Sequence, residues 1–350
     1  MKTFTAAAIC AAFALASQTE VPLRQWQEQQ SGVTARLRGV SAVNGTVAWA
    51  SGANGTVLRT NDGGTSWQKR TVPDATNLDF RDVDAITALT AYVLSIGNGA
   101  ASRIYKTRDG GGSWTLQFTN QDPKGFFDAM AFWDERSGIV MGDSIDGRFD
   151  ILRTMDGGAT WLRVAASALP PALPNEGAFA GSGTNVAVGA NGEAWIGTGA
   201  ASRCRVLHTK DHGASWTVVD TPVAGSGSAG IFSIAFRDAT NGMVVGGDYR
   251  KEGEAVDNAA ISHDGGATWT KVTGLHGFRS VIAAVPGEAK GWIAIGPSGA
   301  DISNDDGVTW TPVTGPGFHA FSFARDRATG WGVGEGGRIA RFGIMRRILL

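Results

Sequence analysis

Three aspartates in two charged stretches of the sequence are candidates for catalysis. They are Asp143, Asp146 and Asp248, and each lies among glycines and other charged residues. Two carboxyl groups that face each other across a groove can cleave a glycosidic bond, one as the acid and the other as the base or nucleophile. This chemistry requires that the fold bring two of the three together, with the pKa of one raised.

A second set of residues suggests binding instead. The sequence contains repeating units of about 40–50 residues, and in each unit one position falls at the predicted start of the innermost strand. The seven residues at this position are Arg38, Arg81, Asp128, Glu176, Phe232, Arg279 and His319. Arginine can hold a carboxylate or backbone carbonyls while it stays charged. The alternative is a ring that satisfies itself, in which Asp128 and Glu176 neutralise two of the three arginines.

Three loops predicted on the same face are longer and more charged than a hairpin needs, which is typical of functional loops. They are Gly142–Asp150, Ala190–Arg203 and Gly246–Asp257. The last loop adds Asp248, Tyr249 and Arg250 to the predicted partner-binding set. In the second loop we expect Trp195 to be an exposed aromatic side chain. Ordinary solvated loops are the alternative for all three.

An eight-residue motif that occurs six times indicates the elements that position these residues. The template is [ST]-x-D-x-G-x-[ST]-W, and its copies are Thr60–Trp67, Thr107–Trp114, Thr154–Trp161, Thr209–Trp216, Ser262–Trp269 and Ser303–Trp310. The aspartate can accept backbone N–H bonds in a tight turn, the glycine supplies positive φ, and the tryptophan begins the next strand. One carboxylate per turn is too few for calcium, so we predict no metal at these turns.

The spacing of the phrases predicts a propeller. The six tryptophans recur every 41 to 55 residues, which suits blades of four short strands. A further strand set, ending with Arg338–Phe342, follows the last phrase and lacks its fourth strand. The segment around Trp26 has the spacing to supply that strand. The prediction is an all-β, seven-bladed β-propeller over residues 17–342, with its ring closed by the N-terminal strand.

Composition narrows the remaining possibilities. The net charge of −1 and the absence of a long apolar run give no case for nucleic acid or a transmembrane span. Lys2 and the apolar run 6–16 predict a secretory signal at residues 1–16, and therefore a secreted or periplasmic protein. Cleavage would leave Cys204 as the only cysteine. The tail 343–350 is expected to be an exposed extension, with a membrane-surface contact as the alternative.

Several phrases make the sequence resemble a known family. LRGVSAVNGTVAWASGANGTVLRTNDGG, MGDSIDGRFDILRTMDGG and GIFSIAFRD…GMVVGGDYR are similar to the Asp-box (BNR repeat) propellers of the photosystem II stability/assembly factor type and their secreted bacterial relatives. The repeat also occurs in sialidases and glycanases. The assembly-factor resemblance implies a non-catalytic role in binding a protein precursor.

Two functions therefore stand as hypotheses. The first is a scaffold, expected to be monomeric and without cofactor, that binds a protein or polypeptide at the channel mouth. The second is a glycoside hydrolase acting on carbohydrate. Arg38, Arg81 and Arg279 could imitate the arginine triad of a sialidase, but the FRIP-type phrase that accompanies it is missing. Xyloglucanase-like enzymes use two propellers, and this chain is long enough for one.

Overall fold

The structure, a computed structural model, describes residues 23–325 and 329–345. Within these ranges the chain forms seven four-stranded antiparallel sheets and no α-helix, which confirms the predicted seven-bladed propeller. The predicted signal at residues 1–16 lies outside the described residues, as do residues 346–350 of the predicted tail. No helix in the described ranges is long and apolar enough to cross a membrane.

Blades one to four follow one another along the chain. Blade one contains β2 Leu37–Ala42, β3 Ala48–Gly52, β4 Thr56–Thr60 and β5 Gln68–Lys69. Blade two contains β6 Asp79–Ala85, β7 Ala91–Ile96, β8 Arg103–Thr107 and β9 Thr115–Thr119. Blade three contains β10 Phe127–Phe132, β11 Gly138–Ile145, β12 Arg148–Thr154 and β13 Leu162–Arg163. Blade four contains β14 Val186–Val188, β15 Ala194–Gly197, β16 Arg205–Thr209 and β17 Thr217–Asp220.

The remaining blades include the junction of the two chain ends. Blade five contains β18 Ala229–Phe236, β19 Gly242–Asp248, β20 Ala259–Ser262 and β21 Thr270–Lys271. Blade six contains β22 Val281–Ala284, β23 Trp292–Gly296, β24 Gly299–Ser303 and β25 Thr311–Val313. Blade seven contains β26 Ala320–Phe323, β27 Gly330–Val333, β28 Ile339–Met345 and β1 Leu23–Gln29. Single 3-10 turns occupy Gly99–Ala101, Ala166–Ala168, Ala190–Gly192 and Glu335–Gly337.

The N-terminal strand closes the ring. Strand β1 pairs antiparallel with β28, and Trp26 stands opposite Phe342 in the register. The Trp26 ring centroid lies 4.3 Å from that of Phe318 and 4.8 Å from that of Phe342. Strand β28 continues to Met345, so the first three residues of the predicted tail belong to the sheet. Because β1 pairs with β28, blade seven has four strands, as each of the other blades does.

The core is divided among the junctions between neighbouring blades. Seven clusters of buried apolar side chains are present, and each is shared by two adjacent blades. Polar side chains of several inner strands also accept a backbone N–H from the next blade. These bonds join Ala42 to Ser322, Ala85 to Ser41, Met130 to Asp82, Phe132 to Asp84 and Ile282 to Ser233. The inner strands are therefore fixed against one another around the channel.

Candidate functional site

A cavity of about 660 Å³ opens at one mouth of the central channel, and all seven blades contribute to its wall. Its lining includes six of the seven residues predicted from the blade alignment. The full lining is Arg38, Arg81, Ile96, Phe126, Asp128, Asp143, Ser144, Asn175, Glu176, Ala178, Phe179, Ala180, Gly181, Ala200, Phe232, Tyr249, Glu252, Phe278, Ser280, Pro297 and His319. The volume and the mixed apolar and charged lining are typical of ligand sites.

Backbone bulges present four of these side chains. The register between the first two strands shifts around Arg38, Arg81, Asp128 and Phe232, in blades one, two, three and five. A bulge places one extra residue against the partner strand and redirects its side chain. The same device at the same height in four blades explains why residues of such different chemistry face one cavity.

The arginine side of the cavity is formed by blades one and two. Arg81 donates from Nε to Asp79 at 2.8 Å and from Nη1 to the Ala180 carbonyl at 2.8 Å. Arg38 reaches only the Gly181 carbonyl, at 3.5 Å, and its buried Nε has no partner within the described residues. Burial, together with the nearby Arg81, lowers the pKa of Arg38 to about 10. Arg38 therefore stays charged at neutral pH with unused donor capacity.

The acidic side of the cavity is formed by blade three. Asp128 is 1% exposed, and its Oδ2 has no hydrogen-bond partner in the part of the chain that the structure describes. Burial and the nearby Asp143 raise the pKa of Asp128 well above its ordinary value. Asp143 accepts the Ala178 N–H at 3.2 Å, and burial raises its pKa to about 6. At neutral pH, Asp143 is thus mostly ionised, whereas burial disfavours the ionised form of Asp128.

Glu176 has a structural partner that the sequence did not reveal. Its Oε1 accepts Arg205 Nε at 2.9 Å and Thr198 Oγ1 at 2.7 Å. Its Oε2 accepts the Leu173 N–H at 2.8 Å and a second bond from Arg205. The prediction that Glu176 begins the inner strand of blade four is wrong, because that strand is Val186–Val188.

Arg279 does not face the cavity, so its predicted place in the binding set is wrong. It is 2% exposed and donates to Asp301 from Nε at 2.9 Å and from Nη2 at 2.7 Å. Its other bonds go to Ser298 Oγ and to the carbonyls of Phe278 and His276. Asp301 comes from the third strand of the same blade, a pairing that an alignment of inner strands cannot reveal.

The hypothesis of a self-neutralising ring is also wrong. Glu176 pairs with Arg205, Arg279 with Asp301, and Arg81 with Asp79, so no acid of the ring neutralises an arginine of the ring. His319 contacts Glu335 Oε1 at 2.9 Å, and burial followed by the charge of Arg38 lowers its pKa to about 4. The mouth therefore presents Arg38 and Arg81 on one side and Asp143 on another, beside a histidine that is neutral at neutral pH.

An aromatic wall lies between these charged sides. Phe232 stacks on Phe179 with ring centroids 4.2 Å apart and planes 6° apart. The edge of the pair is covered by Phe278, 4.7 Å from Phe232, and by Tyr249, 6.1 Å from both rings. Tyr249 is 41% exposed, so it forms the outer rim of the wall.

The floor of the cavity is a segment that the sequence analysis overlooked. Residues 176–183 lie between β13 of blade three and β14 of blade four, and they cross the channel mouth. The Ser182 hydroxyl donates to the Ser280 carbonyl of blade six at 2.8 Å, and Gly181 accepts from Arg38 of blade one. Gly183 has φ +74°, and a Cβ there would lie 2.2 Å from the Asp82 carboxylate of blade two. The run GAFAGSG was the available signal, because six of its seven residues are small and allow the backbone to pass close to the neighbouring blades.

The loop residues divide between the cavity and the solvent. Asp146 lies at the tip of the β11–β12 hairpin and pairs with Lys124 at 2.9 Å, while Asp248 accepts the Arg250 N–H at 3.0 Å. Neither aspartate lines the cavity, so the three catalytic candidates are not gathered in it. Arg250 lies outside the lining as well, with its guanidinium 5.6 Å from the Tyr249 ring centroid.

Trp195 is not the exposed aromatic residue that was predicted. It lies within β15 and is 1% exposed. Its ring stacks between Phe236 at 3.7 Å and His208 at 5.0 Å. Strand β15 is the second strand of blade four, so the predicted loop Ala190–Arg203 in fact contains a core strand. The short continuous apolar run of Ala194–Gly197 was the signal for it, because such a run is typical of a fully buried strand.

The six Asp-box turns lie on the opposite face from the cavity. In each turn one oxygen of the aspartate carboxylate accepts the backbone N–H of the Ser or Thr four residues later, and the other oxygen accepts the hydroxyl of that residue. In the third box Asp156 accepts these two bonds from Thr160, at 2.9 and 2.6 Å. The same bonds recur in the other five boxes. These bonds lower the pKa of Asp156 to about 2. No group of three or more His, Cys, Asp or Glu in the described ranges could hold a metal ion.

Sequence comparisons place the chain near one family. The profile described as photosynthesis system II assembly factor YCF48 matches residues 18–123, and the BNR/Asp-box repeat profile matches residues 260–271. No curated protein matches the sequence. The chain is therefore a BNR-repeat propeller that resembles the photosystem II assembly factors, as its Asp-box phrases predicted.

Solved structures show the same fold at low sequence identity. The structure titled YCF48 bound to D1 peptide is 20% identical, covers 92% of this chain and 99% of its own, and has a TM-score of 0.65. YCF48 from Cyanidioschyzon merolae is 18% identical over 91% of this chain and 98% of its own, with a TM-score of 0.65. The GH74 xyloglucanase from Xanthomonas campestris is 16% identical over 91% of this chain but 53% of its own, with a TM-score of 0.63.

Proposed function

We propose that this propeller is a non-catalytic scaffold that binds a polypeptide partner in the cavity at the channel mouth. The observation that carries the proposal is Arg38. Its guanidinium lines the cavity, makes no ion pair with any described carboxylate, and has only one long contact, to the Gly181 carbonyl. A half-buried charged group with unused donors is unfavourable unless a ligand supplies acceptors. Backbone carbonyls and carboxylates of a peptide are such acceptors.

The rest of the cavity suits the same class of ligand. Arg81 stands beside Arg38 and bonds to Asp79 and to the Ala180 carbonyl of the floor, so its guanidinium is held by the fold before binding. The stacked pair of Phe179 and Phe232 offers an apolar surface for a side chain next to the bound carbonyls. Preorganised polar groups beside an aromatic wall lower the entropy lost when a flexible peptide binds.

The comparisons support a polypeptide over other ligands. A protein of similar fold, YCF48, has been solved with a D1 peptide bound. We extend only the class of ligand to this chain, and we propose that the protein acts as a monomer outside the cytoplasm. That location rests on the sequence of residues 1–16, with its apolar run before a polar segment.

Glycoside hydrolysis is the second candidate, and one observation favours it. Asp143 lines the cavity with a pKa raised to about 6, a value suited to a general acid. Its predicted partners Asp146 and Asp248 are outside the cavity, so the second carboxyl group would have to come from Asp128, Glu176 or Glu252, which line it. Release of reducing sugar from xyloglucan by the wild-type protein, lost in Asp143→Asn, would favour this candidate over the scaffold.

Selection from a random peptide library tests the proposal. Octapeptides with free C-termini would be selected on the immobilised wild-type protein and on the double variant Arg38→Gln/Arg81→Gln. Each charged hydrogen bond contributes about 1.5–3 kcal/mol, so we expect the selected peptides to bind the variant at least tenfold more weakly. The matched control is Arg108→Gln/Arg136→Gln, which removes two exposed arginines from the Asp-box face. Equal binding by both double variants would contradict the proposal.

A further inference from the structure

The binding of a peptide by Arg38 and Arg81 does not use the carboxyl groups of Asp128 and Asp143 on the other side of the cavity. We propose that Asp143, with Asp128 beneath it, forms a separate subsite for a cationic nitrogen of the bound polypeptide, the ammonium of a lysine or the guanidinium of an arginine. This inference rests on the proposed function and deepens it, because it assigns a basic residue to the partner segment.

The first argument is the unused capacity of the two carboxyl groups. Asp143 is half-buried at the end of β11, and the Ala178 N–H is the one hydrogen bond it receives from the described residues. No described Lys, Arg or His forms an ion pair with Asp143 or Asp128. Asp128 is 1% exposed, and its Oδ2 lacks any partner among the described groups. Buried carboxyl oxygens in native proteins are nearly always paired, so this gap points to a missing hydrogen-bond partner.

The second argument is the separation of the two charged sides by the floor. Segment 176–183 turns the Ala178 N–H toward Asp143 and turns the carbonyls of Ala180 and Gly181 toward the arginines. The backbone of the floor thus gives donors to the acids and acceptors to the bases. Because each side is already oriented by the floor, the aspartate has no tendency to collapse onto the arginines. A ligand that carries both signs of charge can bridge the two sides.

The third argument is the aromatic wall next to the acids. Phe179 follows Ala178 directly in the floor, and its ring stacks on Phe232. The aliphatic stem of a lysine or arginine can pack on such a wall while its charged head reaches a carboxylate. A cation near an aromatic face gains a further electrostatic contribution. Two carboxyl groups fall short of the six to eight oxygens that calcium requires, so an organic cation fits better than a metal ion.

The charge state of the subsite suits one cation. Burial, followed by the charge of Asp143, raises the pKa of Asp128 well above its ordinary value, so the two neighbouring carboxyl groups resist ionising together. The other ionisable groups that line the cavity are Arg38, Arg81, Glu176, Tyr249, Glu252 and His319. The pKa of Asp143 is about 6, so acidification to pH 5 protonates it and weakens the attraction for a cation.

The same octapeptide library tests the subsite when it is selected on three proteins at pH 7.5. They are the wild type, Asp143→Asn and Asp146→Asn. Asparagine at 143 can still accept the Ala178 N–H, so the floor should persist. Asp146 is the matched control, because it is an exposed aspartate in the same loop that pairs with Lys124 outside the cavity. We expect Lys or Arg to be enriched at one peptide position by the wild type and by Asp146→Asn, and not by Asp143→Asn.

The affinity of the best selected peptide completes the test. Replacing its basic residue by norleucine should weaken binding to the wild type by at least tenfold and leave binding to Asp143→Asn unchanged. Peptides selected without a basic preference, or a preference that survives in Asp143→Asn, would overturn the subsite while the scaffold proposal stands. A wild-type protein that selects no peptide would overturn the scaffold proposal and the subsite together.

Discussion

Replacing Glu176 by glutamine should destabilise the propeller without altering the cavity's affinity for ligand. Four donors converge on this carboxylate: two from Arg205, one from Thr198 and one from the Leu173 N–H. A glutamine amide would turn an NH₂ group toward at least one of these donors and leave Arg205 without its counter-ion. Removing one partner of a buried ion pair costs about 3–5 kcal/mol.

This free energy translates into a measurable melting temperature. For domains of roughly 150–250 residues, 1 kcal/mol shifts the melting temperature by about 2–4 °C, and larger domains shift less. A domain of this size shifts by roughly 1.5 °C per kcal/mol, so we expect Glu176→Gln to melt about 4–8 °C below the wild type when unfolding is followed by circular dichroism. The control is Glu252→Gln, an exposed glutamate on the same cavity wall, which should leave the melting temperature unchanged.

A double variant separates the ion pair from the packing around it. Glu176→Leu/Arg205→Met removes both charges and keeps most of the volume, and such replacements are often neutral or stabilising. It should regain most of the stability that Glu176→Gln loses. The structural role of Glu176 is refuted if Glu176→Gln melts like the wild type but fails to bind the selected peptides. That outcome would return Glu176 to the binding set.

Three further outcomes are expected. The raised pKa of Asp128 means that the folded state holds the Asp128 proton more tightly than the unfolded state. The stability that protonated Asp128 contributes is complete below about pH 4 and is lost as pH rises through the folded pKa. The melting temperature of Asp128→Asn should therefore exceed that of the wild type by an amount that grows from pH 5 to pH 8, and a constant difference would contradict this. Asp156→Ala should lower the melting temperature near neutral pH, where the Asp156 carboxylate accepts its hydrogen bonds. Below pH 2 the difference should vanish, because the wild-type carboxyl group, with its pKa of about 2, is then protonated. The affinity for peptide should be the same in both proteins. Trp26→Ala should lower the free energy of unfolding in urea by about 3 kcal/mol, because the Trp26 side chain packs on Phe318 and Phe342 where the propeller closes. An unchanged urea midpoint would show that closure of the propeller does not depend on the Trp26 side chain.

The architecture was predictable because its signals are local and repeated. Each Asp-box contains all the groups of its own turn, so the aspartate, the hydroxyl and the glycine can be recognised without knowledge of the rest of the chain. The number of blades then follows from counting strand sets between the boxes. Strand β15 was nevertheless missed, because the single short phrase that contains Trp195 reads equally well as a loop.

The site was only partly predictable because partners come from distant positions. Arg38 and Arg81 were found because the bulge that exposes them recurs at one alignment position. The burial of Arg279 depends on Asp301 in the third strand, and no repeat marks that residue. The importance of Asp143 as a group within the cavity depends on the floor, whose bonds to blades one, two and six connect residues far apart in sequence.

The charged residues at the mouth fall into two layers with different tasks. In the deeper layer, Glu176 with Arg205 and Arg279 with Asp301 use their hydrogen-bonding capacity on each other, so binding can gain nothing from them. In the upper layer, Arg38 and Asp143 keep capacity that no described residue uses. Unused capacity in a buried setting destabilises the free protein, and a ligand that satisfies it recovers that free energy on binding. The upper layer should therefore determine which segment binds, while the lower layer keeps the floor and blades in place when the site is empty.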